Sequence, residues 1–125
     1  REDDMRGGFY RPLYVHRMRA AIGPDRSISA WHHTIVGQSI GKGTPLEPFL
    51  LKDGIDSTSV EGASDMPYRM VNFQCDLHTT ENKVPPLWWR SVGHTHTAQA
   101  MEVFVDELAQ AAGQDPVAYR LALLK

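Results

Sequence analysis

Cysteine is nearly absent from this 125-residue chain. Cys75 stands alone, which excludes an internal disulfide and an iron–sulfur cluster held by the chain's own thiolates. Long apolar runs are also missing, so no stretch reaches membrane-spanning length, and no signal peptide is visible. Nor does charge of one sign dominate: 13 Lys and Arg against 15 Asp and Glu leave a net charge of −2. That balance favours neither nucleic acid nor an acidic membrane surface. Internal repeats and low-complexity segments are absent. The chain has no initiating Met and opens within what reads as a motif, so the expectation is a piece of a longer polypeptide. What is present, 42% hydrophobic residues, suffices to build one core, and residues 1–125 are expected to form a single domain.

Periodicity points to an α+β fold, with an antiparallel sheet of three to four strands and two C-terminal helices packed on one face. Residues 9–22 place Tyr14, Met18, Ala20 and Ile22 on one parity and Arg17 and Arg19 on the other. Gly23-Pro24-Asp25-Arg26 is a turn, because Pro presets φ and Asp bonds nearby backbone. Residues 27–37 return as a second strand, setting Trp31, His33 and Ile35 against Ala30, His32 and Thr34. Strict alternation over 70–79, with Val71, Phe73, Cys75 and Leu77 facing one way, gives a third strand. Cys75 then reads as a small core residue. Residues 95–112 carry a helical stripe of Ala98, Met101, Val105, Leu108 and Ala112. Gly113 is a natural stop, and Asp115-Pro116 caps a last helix through Leu124.

Residues 38–69, rich in Gly, Pro, Ser, Thr and Asp, resist assignment beyond a short helix including Pro48–Lys52. A connection this long is usually functional or packed against a partner. Gly41-Lys42-Gly43-Thr44 is not a phosphate loop: Gly37 sits one residue too close, and a glycine separates Lys from Thr. Of the six histidines, His32-His33 alternate faces of a strand and His94-x-His96 lies at a helix entry. No carboxylate at ligand spacing accompanies them, so no metal site is expected, and no nucleophile–base constellation marks a catalytic residue.

Val84-Pro85-Pro86-Leu87-Trp88-Trp89-Arg90-Ser91-Val92-Gly93 is the most informative stretch. Prolines stiffen the approach, two indoles and an arginine follow, and a glycine permits close backbone approach where a helix begins. A helix start suits an anionic or electron-rich ligand. The alternative is that Trp88 and Trp89 are core or interface residues and Arg90 a surface charge.

Three groups of residues carry a family resemblance. They are Arg90-Ser91-Val92-Gly93, the following helix with Glu102, Phe104 and Asp106-Glu107-Leu108-Ala109, and the closing Gly113-Gln114-Asp115-Pro116-Val117-Ala118-Tyr119-Arg120. Together they resemble a block of the xanthine dehydrogenase/aldehyde oxidase superfamily, from its large, molybdopterin-binding subunit. Its usual form is an Arg-Gly-x-Gly turn, an acidic-aromatic helix, then Gly-x-Asp-Pro and an Arg. Arg1-Glu2-Asp3-Asp4-Met5 with Gly7-Gly8 is similar to an upstream block of the same subunit. The paired Trp and Arg-Ser-Val-Gly resemble most closely the β subunit of isoquinoline 1-oxidoreductase and related bacterial hydroxylases.

The resemblance implies molybdopterin, in its cytosine dinucleotide form, as cofactor, with 2Fe-2S clusters on a partner subunit. It implies oxidative hydroxylation of an N-heterocycle or aldehyde with oxygen from water, in a bacterial cytoplasm or periplasm. The protein's part would be to cradle the cofactor with backbone groups and shape the pocket. Carried over by position, Arg90, Ser91 and Gly93 would face the cofactor, and Arg1, Val92 and Trp89 the substrate. Two departures stand out: Ser91 replaces the usual Gly, and Val92 an aromatic that stacks on purines, so a purine pocket is in doubt. The family's glutamate base lies far toward the C-terminus of the subunit and is not found here; Glu102 and Glu107 read as helix-face residues. The chain would therefore need the remainder of its large subunit and an iron–sulfur small subunit, and alone be inactive. The competing reading is a non-enzymatic α+β module that binds a ligand through its Trp pair or docks a partner through the 38–69 loop.

Overall fold

The computed structural model describes residues 1–124. A short helix, α1 (Glu2–Arg6), precedes strands β1 (Tyr14–Ile22) and β2 (Ile28–Gln38), which form an antiparallel hairpin running from Tyr14 opposite Gly37 to Ile22 opposite Ile28. The tight connection closes through Gly23 N–H to Ser27 O at 2.9 Å, while Asp25 accepts from the Ser27 amide and hydroxyl. The expected strand 9–22 begins only at Tyr14. Pro12 lacks the N–H that a ladder needs, and the chain before it leaves the sheet. There Tyr10 bridges instead to the 85–87 segment, its N–H bonding Pro85 O and its carbonyl accepting from Leu87 N–H, both at 3.0 Å.

The third strand, β5 (Phe73–Thr80), pairs with β2 in parallel, Trp31 opposite Phe73 through Gln38 opposite Thr80. The sheet order is β1-β2-β5, so the sheet is mixed and not wholly antiparallel as expected. Alternation fixes which face a residue takes but not the direction of its strand. Direction is set by the crossover 39–72, which is ample for a parallel return. The unassigned loop is thus that crossover. It contains α2 (Glu47–Leu50), the two-residue strands β3 (Leu51–Lys52) and β4 (Ile55–Asp56), and α3 (Ser57–Val60). Asp53 and Gly54 turn β3 into β4 with φ of +52° and +80°, the paired positive values of a two-residue hairpin.

Helices α4 (His94–Ala111) and α5 (Pro116–Leu123) cover one face of the three-stranded sheet. Ile28, Trp31 and Ile35 from β2 meet Met101, Val105, Leu108, Ala109, Tyr119 and Leu123 in one core. Phe104 meets the Trp31 ring edge-on at 5.0 Å. Cys75 and Leu77 pack against this cluster, and burial raises the pKa of the Cys75 thiol. Val71, 78% exposed, precedes the strand and does not join them. The α4 stripe is Thr97, Met101, Val105, Leu108 and Ala112; Ala98 is exposed. Thr97 can be buried because its hydroxyl donates to Glu61 O at 2.7 Å. Past the helix, Gly113 (φ +64°) bonds Gln110 O and Gln114 bonds Ala109 O, closing α4 in a Schellman turn. Asp115 then caps α5 through the Val117 and Ala118 amides.

Candidate functional site

Two connections converge on the segment 88–93. The Tyr10 bridge brings the N-terminal strand entry alongside Pro85–Leu87, which carries Arg11 to the turn. Its guanidinium lies over the Trp89 ring, 5.3 Å from the centroid, and donates to Arg90 O at 3.3 Å and Thr95 Oγ1 at 2.9 Å. Nothing in the sequence singles out Arg11. No local pattern announces a contact between residues 79 and 84 positions apart.

Trp89–Val92 is a β-turn closed by Val92 N–H to Trp89 O at 3.1 Å. Ser91 occupies its third position at φ +72°, the value of a type II turn, where glycine is favoured. The usual Gly of the family motif therefore has a backbone reason, and serine adopts the same turn at some cost. Val92, at φ +42°, is more strained still, since a β-branched residue rarely takes positive φ. The Arg90 and Ser91 side chains are exposed, Val92 is half-buried, and Trp88 and Trp89 are 44% and 49% exposed.

Gly93 is buried and its role is packing. A Cβ there would lie 2.2 Å from Thr58 O and 2.7 Å from Glu61 Cβ, so only glycine lets α4 start against the α3 exit. Its N–H, the first that a helix start would offer a ligand, donates to Glu61 Oε2 at 2.9 Å. The carboxylate thus caps α4 at its positive end.

Beneath the turn, Arg11, Leu87, Trp89, Val92 and His96 help line a cavity of about 30 Å³. That volume admits a water and not a heterocycle. Arg1, the N-cap of α1, is not among its lining residues. Beside the cavity three histidines form a row: His33 Nε2 to His16 Nδ1 at 2.8 Å, and His16 Nε2 to His96 Nδ1 at 3.0 Å. Tyr14 stacks on His96 at 3.7 Å and shares a 2.8 Å hydrogen bond with Ser59 Oγ. Gly37 lies under Tyr14, where a Cβ would come within 2.1 Å of the ring. Burial lowers the His16 pKa and pushes His33 and His96 down to about 4. Among the described residues, no three His, Cys, Asp or Glu side chains are grouped to hold a metal ion.

The rest of the motif block is structural. Arg120 donates to Glu102 Oε2 at 2.8 Å, to Glu102 O at 2.8 Å and to Asp106 Oδ1 at 2.5 Å, and Tyr68 OH also reaches Glu102. The acidic helix positions and the closing arginine thus stitch α4 to α5. Among the described residues no helix is long and apolar enough to cross a membrane.

The turn is thus exposed, carries two non-glycine residues at positive φ, and is flanked by two indoles and the Arg11 guanidinium. A family model for the molybdopterin cofactor-binding domain matches residues 1–123, and the chain belongs to that family. It is also 29% identical over 136 aligned positions to the membrane-bound aldehyde dehydrogenase [pyrroloquinoline-quinone] of Gluconacetobacter polyoxogenes. That alignment covers 99% of this chain and 17% of the relative's length.

The donor set at the turn fits such a cofactor on one side. The Arg90 and Ser91 amides make no hydrogen bond within the described residues, and both residues are exposed. Successive free amides of this kind suit an anionic or polar group. Gly93 fits only as the residue that seats the turn, because its amide is occupied by Glu61.

Proposed function

We propose that the chain is one wall of a molybdopterin site in a larger oxidoreductase subunit. The observation that carries this reading is the Trp89–Val92 turn: two free amides, the exposed Arg90 guanidinium, and a glycine-locked seat on Glu61 and Thr58. In this reading the Arg90 and Ser91 main chain holds the cofactor, and Arg11 keeps the turn in place by stacking on Trp89. When bound, the molybdenum centre supplies the redox chemistry by which oxygen from water is added to an electrophilic carbon. The general base, the remaining cofactor contacts and the 2Fe-2S clusters come from elsewhere in the large subunit and from a small subunit. The water-sized cavity agrees with this, since one wall alone encloses no substrate.

For substrate, an aldehyde or N-heterocycle fits best. Val92 cannot stack on a purine, and the relative's name is that of an aldehyde dehydrogenase. Trp89 and Val92 would line the pocket, with Arg1 reaching it from the N-terminal segment. The isoquinoline-type hydroxylases and the cytosine dinucleotide form of the pterin are the particular assignments we favour.

The test is Val92→Phe in the longer polypeptide, assayed by dye reduction on a panel of aldehydes and N-heterocycles. Molybdenum content is expected to stay while the ratio of kcat/KM for bulky against small substrates shifts by roughly 10–200-fold, the effect of reshaping an apolar pocket. Unchanged selectivity would remove Val92 from the substrate site.

A further inference from the structure

We propose that the row His96–His16–His33 is an acid-sensitive latch that holds the start of α4, and with it the 89–93 turn, against the sheet. The inference does not depend on which cofactor the turn serves. Three elements contribute one ring each: β1 gives His16, β2 gives His33 and α4 gives His96. The two inter-ring hydrogen bonds tie α4 to β1 and β1 to β2.

Proton counting shows why such a row responds to acid. A neutral imidazole carries one N–H and one acceptor nitrogen. Three neutral rings therefore bring three protons, two of them shared in the inter-ring bonds and one at an end. The outer atoms, His33 Nδ1 and His96 Nε2, are buried and have no hydrogen-bond partner. A fourth proton can sit on the vacant outer nitrogen with both bonds intact, leaving one buried positive charge in the row. A fifth has no place except between two nitrogens that already share a proton. It sets two N–H groups face to face, and that bond is lost. One protonation is tolerated and the second opens the latch.

The surroundings offer no compensation. On β1, Tyr14 stacks on His96 and donates no charge. On β2, His32 lies on the opposite face of the strand and is bonded to Asp76 at 2.6 Å. From the crossover, Asp56 acts on Tyr14, while Glu61 serves the Gly93 amide and lies 4.0 Å from His94. Arg11 adds a cation at the cavity that His96 lines. On α4 itself, Glu107 shares an open groove with His16 and His96. Among the described residues none of these carboxylates makes an ion pair with the three rings. Consistent with that isolation, each outer ring takes up an additional proton only near pH 4.

The experiment follows amide hydrogen exchange at residues 93–97 together with the ring C2–H resonances of the three histidines, as pH is lowered from 7 to below 4. Protection of 93–97 is expected to collapse near pH 4 with a steepness approaching two protons per molecule. Loss with single-proton steepness, or protection that survives full charging of the three rings, would overturn the latch. His16→Gln keeps a donor and an acceptor in the middle of the row but cannot titrate, so it should abolish the two-proton steepness. His32→Gln, on the other face, should leave it unchanged. Retained steepness in His16→Gln would also overturn the proposal, and should that variant fail to fold, the wild-type steepness decides alone.

Discussion

Gly93→Ala isolates the steric seat of the turn from every other property of the motif. Gly93 has φ −66°, which alanine adopts freely, so the backbone conformation presents no obstacle. What alanine lacks is room: its Cβ would lie 2.2 Å from Thr58 O and 2.7 Å from Glu61 Cβ. The first of these atoms is backbone, so the start of α4 must move by about 1 Å to restore ordinary contact, with an overpacking cost of roughly 1–3 kcal/mol. That movement also stretches the 2.9 Å bond from the Gly93 amide to Glu61. A charge-assisted bond of this type contributes about 1.5–3 kcal/mol. Against this, alanine restricts the unfolded chain and returns about 0.4–1 kcal/mol. The net loss is about 2–5 kcal/mol, a fall in Tm on the order of 10 °C for a domain of this size. Thermal and urea unfolding by circular dichroism measure it, with Gly113→Ala as comparison. Gly113 has φ +64° and open space around its Cβ, so its replacement carries only a conformational cost of about 1 kcal/mol. If Gly93→Ala proves no more destabilising than Gly113→Ala, the close approach of α4 to Thr58 is not part of the folded state.

Ser91→Gly relieves a non-glycine residue at φ +72° and restores the usual family residue; unfolding should show a gain of roughly 0.5–1 kcal/mol, and a loss would mean the serine side chain is needed at the turn. Stability should fall as pH drops from about 6.5 to 4, because the folded state holds His33 neutral down to about 4 whereas the unfolded chain takes up the proton near its ordinary value. The contribution of this fully buried ring is present above pH 6.5, declines toward pH 4 and amounts to about 3 kcal/mol at most, so urea midpoints that stay flat across that window would contradict its burial.

The elements that were legible in the sequence are those whose signal is local. Alternation placed Trp31, His33 and Ile35 on the buried face of β2, and Gly113 and Asp115-Pro116 marked the α4–α5 junction that the structure shows. Strand direction was not legible, because the same alternation serves a parallel or an antiparallel β5, and the crossover that decides it hides its hairpin in Asp53-Gly54. Ala98 and Thr97 were exchanged because a threonine is expected in the core only once its hydroxyl partner, Glu61 O, is known. At the candidate site, Arg90–Gly93 was readable from motif resemblance, whereas Arg11, Glu61 and the histidine row arise from tertiary contacts across 17 to 84 positions that no spacing rule encodes.

The central claim is that this fold helps hold a molybdopterin, although the relative it resembles carries a quinone cofactor in its name. The most direct measurement is elemental analysis for molybdenum, with fluorescence detection of the oxidised pterin, on the large subunit proposed above, purified together with the small subunit that the proposal expects. The account predicts close to one molybdenum and one pterin per large subunit. Absence of both, with pyrroloquinoline quinone found in their place, would contradict it.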